Sequence, residues 1–398
     1  MASPPLFIEV SGPPRSRGQS YGEAARDRIR LGVEHYAAQI GRHGLSNGVR
    51  RELCEGFLPT IRAFDAGHAD EIEGIAAGAG VPVGDVVLLN ARTEVLQIAE
   101  RDGGPAPSVE GVDGCTGVIV LPEASADGRL IHAMNWDWKA DCADTAVVLR
   151  IRGSDADGSG PDILTFAEAG QLARAGLNAA GIAITANYLE SDRDYRQSGV
   201  PLALLRRKVL QQHQLAAALR VAYCTPKSAS NNIMISQAGG IGLDLECAPD
   251  ETFLVHARDG LIVHANHWQS PVALTRLRDT GIAATPDSLY RDLRVQGALA
   301  PLRGAIDSDA VKAALFDDYQ SPDAVCRPPR RGASGNLSAT VAMIVMIPAE
   351  GRMEVAMLPA LNRDFTEFML SGGSASPNNG PAHAPDPTRP SPDRRALS

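Results

Sequence analysis

The stretch VDGCTGVIV, residues 112–120, joins a loop to a strand and sets Gly114 and Cys115 at the junction. Upstream, ERDGGPAPSVEGVDG (100–114) is rich in glycine, proline and charge and reads as an exposed loop. Downstream, CTGVIVLPEASADGRLIHAMNWDW (115–138) reads as a strand, a turn at Ala126-Asp127-Gly128 and a returning strand. Cys115 therefore has two readings. One is a small buried residue opening a core strand, since free cysteine is among the most buried residue types. The other is a nucleophile uncovered when the chain is cut in front of it.

The chemistry permits the second reading. Cleavage of Gly114–Cys115 would give Cys115 both a thiol and its own α-amine. That amine has a pKa of about 7.7–8 and serves as a base near neutral pH without a separate histidine. Cysteine is already the best side-chain nucleophile at its free pKa, and the amine helps generate the thiolate. A small preceding residue lets the thiol reach its carbonyl, and glycine tolerates strained backbone there. Asp113 stands close enough in sequence to help move a proton, though exposed loops carry Asp for no catalytic reason.

Outward from this junction the texture differs on the two sides. GQSYGEAARDRIRLGVEHYAAQIGRH (18–43), ELCEGFLPTIRAFDAGHADEIEGIAAGAG (52–80) and VPVGDVVLLNARTEVL (81–96) repeat apolar residues at helical spacing, so the first hundred residues are mainly helical. Beyond Cys115, hairpins recur: GLNAAGIAITANYL (176–189), a pair around Gly239-Gly240, another around Asp259-Gly260, and a last one around Glu350-Gly351. PLALLRRKVLQQHQLAAALRVAY (201–223) reads as a helix with Pro201 at a tolerated early position. Hairpins and helices in blocks predict an α+β architecture with largely antiparallel sheets. Residues 371–398 lack the apolar side chains needed to order them and read as a disordered tail.

Composition narrows the partners. The chain has 398 residues, 44% of them apolar, and a formal charge of −9, which offers no basic footprint for nucleic acid or an anionic membrane. No apolar run reaches the ~20 residues of a membrane span. The N-terminus lacks a charged segment followed by an apolar one, so a cytoplasmic location is expected. Cys54, Cys115, Cys142, Cys224, Cys247 and Cys326 are scattered without close pairs, which suits a reducing compartment rather than a disulfide scaffold. GASGNLSAT (332–340) is not a GxSxG elbow, and no phosphate-binding or dinucleotide fingerprint is present. His264 and His267 invite a zinc reading, but an odd separation on a strand would send them to opposite faces, and no third ligand is spaced to help. Neither metal nor cofactor is expected.

DGCTGVIVLP and GRLIHAMNWDW, with NARTEVL (90–96) upstream and GLNAAGIAITANYL, NNIMISQAGGIGLDLE, DGLIVHANHW and SATVAMIVMIPAEGRMEVAML downstream, resemble the acyl-coenzyme A:isopenicillin N acyltransferase family. The resemblance covers roughly residues 15–370. These are self-cleaving N-terminal-nucleophile hydrolases, classed with peptidases but acting mostly on non-peptide amides. The resemblance implies a four-layer αββα sandwich, with 1–114 as a mainly helical small chain and 115–370 as the catalytic chain, the two staying associated after cleavage at Gly114–Cys115. It implies Cys115 as nucleophile and Asp137 as the carboxylate that orients its amine, against a bland reading of Asp137 as a strand-end turn former. Asn187 and Asn266 match the family positions whose amides stabilise an oxyanion. Met134 stands where bile-salt hydrolases and penicillin V acylases have arginine, which argues against their specificity. No catalytic arginine can be assigned among Arg327, Arg330 and Arg331. The expected reaction is hydrolysis or acyl transfer on a small-molecule amide or acyl thioester, leaving room for a coenzyme A thioester as substrate. The competing expectation is an uncleaved, catalytically silent binding protein on the same fold.

Overall fold

The computed structural model describes residues 4–42, 44–102, 114–155, 157–331, 337–371 and 376–377. Of the expected loop, 100–102 continue α7 while 103–113, Asp113 among them, lie outside the described residues, as does the tail apart from Ser371 and Ser376–Pro377. After a short strand β1 (Leu6–Val10), the first hundred residues form α1 (Pro14–Ala24), α2 (Arg26–Arg42), α3 (Asn47–Glu55), α4 (Leu58–Phe64), α5 (Ala66–Ala79), α6 (Val83–Asn90) and α7 (Arg92–Asp102). The helical content is as expected, but each long apolar pattern is broken. Ala25 leaves helical geometry between α1 and α2, while Pro59 sits at the start of α4. The Asp65 carboxylate caps α5 by accepting the His68 N–H at 3.0 Å, and Gly80 closes that helix at φ 67°.

The strands follow as β2 (Cys115–Val120), β3 (Ile131–Lys139), β4 (Ala146–Ile151), β5 (Ile163–Glu168), β6 (Ala175–Asn178) and β7 (Ile182–Tyr188). Helices α8 (Leu202–Leu210) and α9 (Leu215–Cys224) come next; the single predicted helix is two, bent at Gln212–Gln214. Then come β8 (Asn231–Gln237), β9 (Ile241–Cys247), β10 (Thr252–Val255) and β11 (Leu261–His264), followed by α10 (Pro271–Arg276), α11 (Ser288–Leu299) and α12 (Ser308–Leu315). The chain ends with β12 (Arg330–Arg331), β13 (Leu337–Ile347), β14 (Arg352–Met357), β15 (Thr366–Met369) and β16 (Ser376–Pro377).

Among the described residues two eight-stranded sheets result. One has the order β1-β4-β5-β6-β7-β8-β9-β10; the other runs β11-β2-β3-β13-β14-β15-β16, with β12 on β13. Every pairing is antiparallel except β1 on β4. The inner faces meet where β2 and β3 lie over β7 and β8, and both strands of the β2–β3 hairpin are almost wholly buried. Helices α8 and α9 back the first sheet, with the N-terminal helices built against α8 and β1; α11 and α12 back the second. This is the expected αββα sandwich. His132 of β3 ties the two sheets together, its ring nitrogens 2.9 Å from Thr185 Oγ1 and 2.8 Å from Ser236 Oγ.

One expected hairpin is not a hairpin. The turn at Asp259-Gly260 exists, but β10 pairs with β9 in the first sheet while β11 pairs with β2 in the second. The chain crosses between sheets there. Among the described residues no single helix is long and apolar enough to cross a membrane.

Candidate active site

Cys115 is the first residue of β2, an internal strand flanked by β3 and β11, and is 4% exposed. The β2–β3 register sets Cys115 opposite Trp136 and lets the Asp137 N–H donate to the Gly114 carbonyl at 2.9 Å. Two residues 22 apart in sequence are thus neighbours because one hairpin holds them. The Asp137 carboxylate accepts the Thr340 hydroxyl at 2.7 Å from β13 and lies 3.3 Å from Arg327 Nε. Thr340 Oγ1 also accepts the Arg327 N–H at 2.7 Å, so one side chain fixes both members of the ion pair.

Asn266 comes from the turn after β11. Its Oδ1 accepts the Cys115 N–H at 2.7 Å and Arg291 Nη2 at 2.8 Å, while its Nδ2 donates to the Tyr188 carbonyl at 2.8 Å. Arg291, on α11, further donates to the Cys115 carbonyl at 2.8 Å and the Thr116 hydroxyl at 2.9 Å. Asp287 accepts Arg291 Nε at 2.8 Å and also Arg327 Nη2, joining the two guanidinium groups through one carboxylate. Gly114 lies under this cluster. A Cβ there would stand 2.9 Å from Arg291 Nη2, 3.0 Å from Arg327 Nη2 and 3.1 Å from Asn266 Oδ1.

Asn187, on β7, is fully buried and directs its Nδ2 to the His264 and Ala265 carbonyls at 2.8 and 3.0 Å, leaving Oδ1 without a partner. The structure therefore brings Cys115, Asp137, Asn187 and Asn266 together. Backbone carbonyls take both amide hydrogens of Asn187 and one of Asn266, and what Asn266 presents to the Cys115 N–H is its oxygen. His264 and His267 do not diverge. The strand ends at His264, alternation stops with it, and the two rings stack with centroids 6.3 Å apart. Burial opposes protonation of His264, but Asp244 and the Glu246 carboxylate 2.9 Å away push it up to about 9. No cluster of three or more metal-ligating side chains exists among the described residues.

A narrow cavity of about 30 Å³ opens beside Cys115, Asp137 and Asn187. Its remaining wall includes Arg92, Arg174, Arg206 and Asn231. Burial raises the Cys115 thiol above its ordinary value and Asp137 adds to this, while Arg174 and Arg291 pull it down. Sequence reasoning found neither Arg291 and Asp287 nor Arg174, Arg206 and Asn231, and it could not choose Arg327 from its Pro-rich neighbours. None of these sits in a pattern whose period points at Cys115; α8 delivers Arg206, α11 Arg291, the start of β8 Asn231, and the connections before β6, α11 and β12 deliver Arg174, Asp287 and Arg327.

The chain is 28% identical over 340 residues to the 40 kDa form of an acyl-coenzyme A:6-aminopenicillanic-acid-acyltransferase from Emericella nidulans, covering 83% of this chain and 86% of that protein. Among solved structures it is similar to a conjugated bile acid hydrolase from Clostridium perfringens, with TM-score 0.44, 12% identity and coverage of 67% and 97% of the two chains. A penicillin V acylase from Agrobacterium tumefaciens gives TM-score 0.41, 16% identity and coverage of 64% and 86%. Residues 124–357, from just past β2 through β14, match the family described as acyl-coenzyme A:6-aminopenicillanic acid acyl-transferase. With more than half its length inside that match, the chain belongs to this acyl-transferase family.

Proposed function

We propose that the protein is an amidohydrolase or acyltransferase activated by its own cleavage at Gly114–Cys115, with Cys115 as nucleophile. The observation that carries this reading is the Cys115 N–H held at 2.7 Å by Asn266 Oδ1 while the residue borders the Asp137 cavity. In maturation the thiol adds to the Gly114 carbonyl, the C–N bond breaks, and the departing nitrogen takes the proton and becomes the α-amine. Water then hydrolyses the resulting thioester, giving a Gly114 carboxylate and a free thiol. In turnover the amine accepts the thiol proton, the thiolate adds to an amide or thioester carbonyl, and the leaving amine or thiol departs with that proton. The acyl-enzyme passes its acyl group to water or to an amine.

Each neighbour has a share. Asn266 Oδ1 already faces the nitrogen that becomes the amine and holds it in place. Asp137, fixed by Thr340 and Arg327, supplies negative charge near the resulting ammonium. An oxyanion needs N–H donors; Asn187 spends both amide hydrogens on carbonyls and would have to release one, whereas Asn266 gives one to the Tyr188 carbonyl and keeps its second for an oxyanion. The small and large chains would stay associated, because β1 belongs to the first sheet and the N-terminal helices share its core. A coenzyme A thioester fits as a substrate, and a reducing cytoplasm would keep the thiol free.

Intact-mass measurement of the purified protein tests this reading. Two chains split at Gly114–Cys115 are expected, with Cys115→Ala remaining whole. An uncut chain in a preparation that turns over acyl substrates overturns self-cleavage, and an uncut inert chain favours the silent binding protein. Release of free acid with and without an added amine then divides hydrolysis from transfer.

A further inference from the structure

The polar atoms on the cavity wall are unevenly satisfied. Arg327 neutralises Asp137, and Arg92 neutralises Glu168 at 2.6 Å, which also accepts Gln171 and the Tyr36 hydroxyl. Arg174 and Arg206 are left: among the described residues no side chain accepts a hydrogen bond from either. Arg174 is 7% exposed, its guanidinium centred 4.1 Å over the Trp136 ring, and its Nε has no partner. Arg206 Nε is buried and equally without a partner. Glu94 lies within electrostatic range of Arg206, but its carboxylate accepts the Leu202 N–H instead. Asn231 provides an independent sign: at 1% exposure, both its Nδ2 and its Oδ1 are unpartnered on the same wall. Buried cations and amides without partners each cost free energy, which a bound group of complementary chemistry would recover.

We propose that Arg174, Arg206 and Asn231 form a subsite for a carboxylate carried by the substrate, so that the acyl compounds processed at Cys115 are carboxylic acids in their free, ionised form. The inference rests on the reading above that Cys115 attacks an acyl group in this cavity. Guanidinium forks suit a carboxylate because two parallel N–H donors match its two oxygens. Trp136 holds the Arg174 fork in place by stacking against it. Burial and the neighbouring arginines push Arg206 down to about 9 and Arg174 down to about 10, as expected of cations awaiting an anion, and both stay charged at neutral pH.

The alternative use of these arginines is to lower the thiol pKa without binding anything. Alkylation of Cys115 separates the two, because iodoacetate and iodoacetamide transfer to the thiolate with loss of the same iodide and differ only in charge. In the purified protein, with the product mapped to Cys115 by mass, a subsite gives iodoacetate an advantage over iodoacetamide about ten-fold above that seen with N-acetylcysteine. Arg206→Gln abolishes the advantage, Arg206→Lys keeps part of it, and N-benzoylglycine protects the thiol where its methyl ester does not. Equal slowing of both reagents in Arg206→Gln would mean that the arginines only tune the thiol, and would overturn the subsite. So would a ratio no higher than that of N-acetylcysteine, or one unchanged by both Arg206→Gln and Arg174→Gln. If the chain proves uncut, the functional reading fails while the reagent ratio at Cys115 still decides the subsite.

Discussion

At position 114 a methyl group has nowhere to go without moving Arg291 or Arg327, and both are held by Asp287. Gly114→Ala is therefore expected to fold, since the clash is with side-chain ends, yet to displace the carbonyl that Cys115 would attack in the proposed cleavage. Displacements of about 1 Å at a reacting centre cost on the order of 10²-fold in rate. Timed intact-mass spectra should show the variant chain persisting whole long after the wild type has split; equal rates would mean the packing around Gly114 does not position it. Cys115 and Asp137 were picked out through the family resemblance, since by themselves each reads as well as a core cysteine or a strand-end aspartate; the hairpin register then makes them neighbours. Arg291 and Arg327 were not, since only the packing of α11 and the chain before β13 brings them under Gly114.

Between elements, α1 and α5 approach with their backbones in contact. A Cβ on Gly18 or Gly22 would lie 2.2 or 2.3 Å from the Glu71 or Ile75 carbonyl oxygen, and one on Gly74 or Gly78 would lie 2.1 Å from that of Arg15 or Gln19. The two backbones touch, so a methyl group has no side chain to push aside. Gly74→Ala should destabilise the fold by about 3 kcal/mol in denaturant titration, the upper end of overpacking costs. Gly41→Ala in α2 meets nothing within 4 Å and should be neutral or stabilising by up to about 1 kcal/mol, which guards against a generic glycine effect. The misread turn at Asp259-Gly260 belongs to this scale too. Alternating apolar residues around an Asp-Gly pair look the same whether the flanking strands pair with each other or leave for different sheets. Partner choice is decided by β9 and β2, far from the turn itself.

Over the whole molecule, alkaline conditions should weaken the fold before acid chemistry matters. His264 is held at about 9 in the folded state by Asp244 and Glu246, against about 6.5 in the unfolded chain. A raised histidine contributes fully below pH 6.5, and that contribution is lost as pH climbs through 9. The buried thiols act in the same direction. Desolvation pushes Cys54 and Cys326 up to about 12, so from about pH 8.5 the unfolded chain releases protons that the folded one keeps. Each such proton tilts stability by about 1.4 kcal/mol per pH unit, so unfolding free energy should drop by ~2 kcal/mol or more between pH 7 and 9. A flat profile over that range would mean His264 is not charged in the folded protein. The α+β character with largely antiparallel sheets was readable from blocks of helices followed by hairpins, while the four layers were implied only by the family resemblance. The bonds that join its layers, such as His132 to Thr185 and Ser236, were not, because nothing in a strand's sequence names the strand on the opposite sheet.

The crowding around Gly114 bears on timing as well as placement. Scission at this residue, as proposed, replaces an uncharged carbonyl with an anion between Arg291 and Arg327. On that proposal the severed end would be gripped more tightly than the intact one, and the cleaved protein would start out inhibited by its own first product. Activity should trail chain scission by a measurable lag, and moderate salt, which screens that grip, should shorten the lag without hastening the cut.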